Sequence, residues 1–154
     1  MGIHDLDWLL WTLGPAERVY SRGLCERGLP FLDYALTTVR HKSGAIAHVE
    51  SSWAEVAGFR VQAEVAGDGG LLSYDSDQSG AFSIDLHQPP EVSPGVTVPT
   101  THTAVSPYVL QLERMARAIR GEASTVGSPE EAYEALRLSL AALESIRTNR
   151  PIDL

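Results

Sequence analysis

The stretch YALTTVRHKSGAIAHVESSW, residues 34–53, decides the fold. Two runs rich in β-branched and aromatic residues flank Lys42-Ser43-Gly44, a turn of the kind that folds a chain back on itself. A hairpin is therefore expected here. Downstream, GFRVQAEVAG (58–67) alternates with period two. Phe59, Val61, Ala63 and Val65 share one face, and Arg60, Gln62 and Glu64 share the other, as in a strand with one buried side. AGDGGLL (66–72) reads as another tight turn, and GAFSIDLH (80–87) as a further strand carrying Phe82, Ile84 and Leu86 in register. From Ala16 to Leu86 the chain thus offers five or six strands joined mostly by short turns. Such connections make a sheet mainly antiparallel.

Helices flank this region. At the start, Ile3, Leu6, Leu10 and Leu13 recur at helical spacing with Leu9 beside them, and Gly14-Pro15 ends the pattern. Residues 106–122, SPYVLQLERMARAIRGE, offer Ser106 as N-cap and Pro107 at the first helical position. Tyr108, Leu112, Met115, Ala116 and Ile119 form the apolar stripe. Residues 128–150 open on Ser128, Pro129 and Glu131, the spacing of a capping box. Their stripe is Tyr133, Leu136, Leu140 and Leu143, and Arg150-Pro151 closes the helix. Between the sheet and these helices lies HQPPEVSPGVTVPTTHTA, a proline-rich connection over 87–104.

The order of helix, sheet, two helices predicts an α+β domain spanning 1–154, a mainly antiparallel sheet with its helices on one face. The other face is then available for oligomer contact. With 44% hydrophobic residues the 154-residue chain can build a core, and its net charge of -8 argues against nucleic acid and against an anionic membrane surface. No run approaches the ~20 apolar residues of a membrane span. One cysteine, Cys25, excludes an internal disulfide and reads as a buried or half-buried strand residue. With no signal-type N-terminus, a cytoplasmic protein is expected.

Several motifs suggest chemistry and fail on context. Gly67 to Gly70 (GDGG) is followed by a strand, whereas a phosphate loop needs a helix whose amides meet the phosphate. No GxGxxG, P-loop or GxSxG occurs. His41, His48, His87 and His102 share no ligand spacing on one element and read as solvated or hydrogen-bonded side chains, so no metal site is expected. Arg114, Arg117 and Arg120 read as a solvated face paired with nearby glutamates. IHDLDWLLW, residues 3–11, remains. On a helix His4 neighbours Asp7 and Trp8, with Trp11 on the same side. A histidine beside a carboxylate can move a proton near neutral pH. The competing reading has Asp5 and Asp7 complementing the helix dipole and both tryptophans in the core, and spacing alone favours it.

The stretch GIHDLDWLLWTLG resembles the motif that opens the first C-terminal-domain helix of the Gfo/Idh/MocA family, NAD(P)-dependent oxidoreductases of sugars, cyclitols and related alcohols. SGAIAHVESSW, VAGDGGLLSYDS and the two closing helices resemble later segments of the same domain, in order. The resemblance implies that His4 is the catalytic acid/base for the substrate hydroxyl, with Asp7 and Trp8 supporting it or walling the substrate pocket. It also implies that the family's dinucleotide domain, its catalytic lysine, the aspartate four residues before the histidine and the first sheet strand lie outside this sequence. The chain is then expected to be the substrate-binding and oligomerisation part of a longer oxidoreductase. It would be inactive alone and bind no cofactor itself, with NAD or NADP implied for the whole enzyme and a small polyol or sugar-like substrate. It would form a homo-oligomer through the sheet or an unpaired edge, or assemble with a separate Rossmann polypeptide. The alternative is a standalone, non-enzymatic dimerisation or ligand-binding module derived from that domain.

Overall fold

The computed structural model describes residues 2–25, 33–53, 60–76, 82–86, 107–123 and 127–154. It divides into two compact units, 1–54 with 114–154, and 55–113.

The first unit holds a four-stranded antiparallel sheet in the order β3-β2-β1-β7. Strand β1 is Ala16–Leu24, β2 Tyr34–His41, β3 Ile46–Ser52 and β7 Ile152–Asp153. The hairpin of β2 and β3 forms where the sequence places it. Gly44, at φ 91°, supplies the left-handed residue of its turn, and the His41 amide donates to the Ala45 carbonyl at 2.9 Å. Pairs Val19↔Val39 and Val39↔Ala47 put these small side chains on one face of the sheet. Helices α1, Ile3–Leu13, and α3, Pro129–Thr148, cover that face. Leu6 and Leu9 of α1 and Leu138 and Ala142 of α3 complete the core. The opposite face is exposed and mixed. Arg18, Arg40, His48 and Glu50 stand among the apolar Leu36 and Ile46.

The second unit contains the meander β4-β5-β6: Gln62–Gly67, Gly70–Asp75 and Phe82–Leu86. Its first turn, Asp68-Gly69, is the expected hairpin. Val61, Ala63 and Val65 are half-buried while Arg60, Gln62 and Glu64 are exposed, so the alternation read from the sequence holds; Phe59 lies outside the described residues. Helix α2, Pro107–Ile119, begins at Pro107, and the expected cap Ser106 also lies outside them. So does the connection at 87–104.

Three placements differ from what the sequence suggests. The α3 stripe Tyr133, Leu136, Leu140 and Leu143 faces solvent, with Tyr133 63% and Leu140 57% exposed. The buried side is Ala135, Leu138, Ala142 and Ser145. Small residues let the helix axis approach the sheet closely, and the large ones are left outside. The stripe of α2 is likewise exposed at Tyr108, Leu112, Met115 and Ile119. Cys25 is exposed, one residue beyond the end of β1 rather than within a strand.

The ends of α3 are both fixed. Ser128 Oγ accepts from the Glu131 amide at 3.1 Å while the Ser128 amide donates to the Glu131 carboxylate at 2.6 Å, the reciprocal box the sequence announces. At the other end Asn149 adopts the left-handed conformation, and Pro151 leads into β7, a strand the sequence did not announce. Arg18 Nε donates to Asp153 Oδ1 at 2.5 Å across the β1–β7 pair and holds that carboxyl below its usual range.

Replacing Leu138 by alanine should lower stability by about 2–5 kcal/mol in chemical denaturation. The same change at Leu140 should stay within about 0.5 kcal/mol for the monomeric chain. Asp153 binds its proton less readily folded than unfolded, so its stabilisation is present above the ordinary value of 3.8 and fades as pH falls through the folded value. Asp153→Asn should accordingly lower the thermal midpoint at neutral pH and match the parent in strong acid.

Candidate active-site face on helix α1

Helix α1 has two unlike sides. Leu6 and Leu9 face the sheet, and Leu10 and Leu13 are half-buried beside them. Gly14, at φ 85°, ends the helix and returns its amide to the Leu10 carbonyl at 3.1 Å. Spacings of four and three residues put His4, Trp8 and Trp11 together on the side turned away from the sheet. All three are exposed, Trp8 by 39% and Trp11 by 78%. The expectation that the tryptophans sit in the core is overturned. Four leucines already fill the inward side, and the helical period sends residues 4, 8 and 11 outward.

Asp7 stands three residues from His4 and is exposed. No hydrogen bond joins the two side chains. Asp5, also exposed overall, has enough protein crowded around its carboxyl to raise its pKa by desolvation, an effect the nearby His4 partly offsets.

Beside the first turn of α1 opens a cleft of about 220 Å³. Gly2, Ile3 and Leu6 form one wall and Ser139, Ala142 and Leu143 of α3 the other. Its floor is the sheet, with hydroxyls at Ser21, Thr37 and Ser51 and the buried Asp33 at one end. The turn rests tightly on β3. A Cβ at Gly2 would come within 2.8 Å of Ser51 Oγ. Sequence reading missed this cleft, because its lining comes from separate segments that carry no shared motif.

The other candidates remain apart from this face. His41 is fully buried, and its Nδ1–H donates to the Gly14 carbonyl at 2.7 Å, so it ties the end of α1 to β2. Its Nε2 has no hydrogen-bond partner among the described residues. His48 meets Thr38 Oγ1 at 3.1 Å on the open sheet face. His87 and His102 lie outside the described residues. Arg120 and Arg117 approach Glu122 at 2.9 and 3.9 Å, the solvated pairing expected of that row. Among the described residues no group of three or more His, Cys, Asp or Glu could hold a metal ion. No described helix is long and apolar enough to cross a membrane.

The same fold occurs in solved structures of nicotinamide-dependent oxidoreductases. A putative NADPH-dependent oxidoreductase from Desulfitobacterium hafniense superposes with a TM-score of 0.82 at 22% identity, over 99% of this chain and 46% of its own. The WlbA dehydrogenase of Bordetella pertussis, solved with NADH and UDP-GlcNAcA, gives 0.74 at 20% identity, over 99% and 43%. An NAD-binding oxidoreductase from Klebsiella pneumoniae gives 0.82 at 17% identity, over 99% and 48%. The chain spans less than half the length of each of these proteins. Residues 1–73 match the family model of the GFO/IDH/MocA C-terminal domain. Over these residues the chain is similar to the C-terminal domain of the Gfo/Idh/MocA oxidoreductases.

Trp11→Ala should change unfolding free energy by no more than about 0.5 kcal/mol, against the roughly 3–5 kcal/mol that a core tryptophan would lose. Equilibrium denaturation of the variant decides between these placements.

Proposed function

We propose that this chain is the substrate-binding and oligomerisation half of an NAD(P)-dependent oxidoreductase acting on a secondary alcohol of a sugar or polyol. The observation that carries the reading is the outward face of His4, Trp8 and Trp11. A histidine and two indoles held at the surface of a rigid helix form one wall of a site whose other wall is a second domain.

In this reading His4 takes the proton of the substrate hydroxyl as the carbinol carbon gives up hydride, and returns it in the reverse direction. Bound nicotinamide supplies the hydride acceptor or donor. Asp7, one turn along, holds the charge and orientation of the ring, and Trp8 covers the apolar face of the substrate. The cleft beside Gly2 receives the rest of the molecule, with Asp33 and the Ser51 and Thr37 hydroxyls offering partners to its hydroxyl groups.

The nucleotide is assigned to a Rossmann domain, upstream in the same polypeptide or on a separate one. A dinucleotide phosphate needs free amides at a helix N-terminus. The α3 N-terminus is closed by its own serine and carries Glu130 and Glu131 in the first turn, so it repels phosphate. The open face of the sheet, with Leu24, Leu36 and Ile46 exposed among charged residues, is the proposed contact between copies. A cytoplasmic setting belongs to the same reading.

In the complete enzyme containing this half, His4→Gln should lower kcat by about 10²- to 10⁴-fold with KM little changed. An unchanged kcat would remove His4 from the chemistry. The 154-residue chain by itself should show no turnover with NADH or NADPH and a panel of polyols, and turnover there would overturn the division of labour.

A further inference from the structure

Helix α3 is apolar on two sides, and only one of them is used. The inward side is closed against the sheet and α1. The outward side presents Tyr133, Leu136, Leu140 and Leu143 at 63%, 47%, 57% and 51% exposure. Their spacings of three, four and three are those of the a and d positions of a coiled coil, over two heptads. In that frame Arg137 and Glu144 both fall at e positions, on one flank of the seam.

The frame also fixes which way a partner helix can run. In a parallel pair the e residues meet g residues, here Ala132, Ser139 and Ile146, and no charges match. In an antiparallel pair e meets e. Arg137 of one helix then lies opposite Glu144 of the other, and Glu144 opposite Arg137, when the helices cross between Leu140 and Ala141. At present both pair within the helix, Arg137 with Glu134 at 2.6 Å and Glu144 with Arg147 at 2.5 Å, all on exposed side chains. Arg137 and Glu144 are placed to be shared across a seam without being buried.

We propose that the outward face of α3 is a contact between two copies of this chain, packed antiparallel about a two-fold axis through Leu140 and Ala141. The partner is a second copy because the Arg137 and Glu144 flank is complementary to its own reverse, as an isologous interface requires. The contact shares Leu143 with the wall of the cleft beside Gly2 and touches neither His4 nor its tryptophans. It lies on the side of the unit opposite the open sheet face, so the two contacts can operate together and close a four-copy assembly. Two heptads make a short interface, smaller than the roughly 800 Å² per partner of a stable complex, so this contact relies on neighbouring surface or on the sheet contact to persist at low concentration.

The test is analytical ultracentrifugation of the chain and surface variants, with circular dichroism confirming that each is folded. Leu140→Asp puts a carboxylate in the seam and should weaken α3 association by more than about a hundredfold. Arg137→Glu should weaken it by about threefold to tenfold, since the replaced charge faces Glu144 of the second copy. R137E combined with E144R should restore it, although both intrahelical pairs are then like-charged. A merely structural role for these residues gives no rescue. Leu36→Asp on the open face should remove the sheet contact alone. Association that is lost only in the Leu36 variant would overturn the α3 contact and leave the sheet contact standing. Loss only in the Leu140 variant would do the reverse. A monomeric parent chain would overturn both and leave the face of α3 to a different partner, such as the nucleotide-binding domain.

Discussion

One hydroxyl group holds the helical layer to the sheet. Strand β7 pairs with β1 only at Arg18 and Val19, which leaves the next donor of β1 on that side, the Ser21 amide, without a strand. Ser145 of α3 fills the place, accepting from that amide at 2.9 Å and donating to the Arg150 carbonyl at 2.6 Å. Ser21 Oγ continues the chain to Thr37 Oγ1 at 2.6 Å on β2. A buried backbone donor left unmet would cost about 1–3 kcal/mol, so the position of α3 is specified by hydrogen bonding as well as by packing. Because α3 is fixed, α1 is fixed against it, and with α1 the side on which His4 and the tryptophans emerge.

The close seat of α3 has a second effect. Ala135, Ala142 and Ser145 are small enough to let the helix lie near the strands, and beside Gly2 the layer does not fill. The cleft is that unfilled wedge. Its walls are apolar because they are core surfaces, and its floor is hydroxylated because Thr37 and Ser51 alternate with Val39 and Val49 along the covered face of the strands. Core and candidate binding site are thus built from the same residues of the same layer.

Much of the architecture was legible in the sequence where local chemistry leaves one choice. The β2–β3 hairpin was readable because period-two alternation and a glycine turn agree. The start of α3 was readable because Ser128 and Glu131 cap reciprocally. The inward side of α3 was not. Helical period identifies an apolar stripe, and this helix has two. The eye takes the leucine and tyrosine stripe, whereas close packing selects the one rich in alanine and serine. The two tryptophans of α1 misled for the same reason, since bulk suggests a core that four leucines already occupy. Strand β7 has two residues and no period at all. At the candidate site, His4 was singled out by its resemblance to a family motif. Asp33 and Ser51 carry no such mark, and only the folded chain brings them to one cleft.

The pairing of β7 with β1 joins positions 135 residues apart, Arg18 and Asp153. Contacts so distant along a chain close slowly, because the intervening loop must surrender its entropy before the contact repays it. During synthesis β1, β2 and β3 can pair soon after they leave the ribosome, yet Ser145 and β7 arrive much later. Until then α1 alone covers the Val19 and Val39 face, and the edge of β1 stays open. The nascent chain therefore passes through a stage in which a half-covered sheet with an open edge is exposed, the kind of transient surface that invites aggregation whatever the stability of the finished fold.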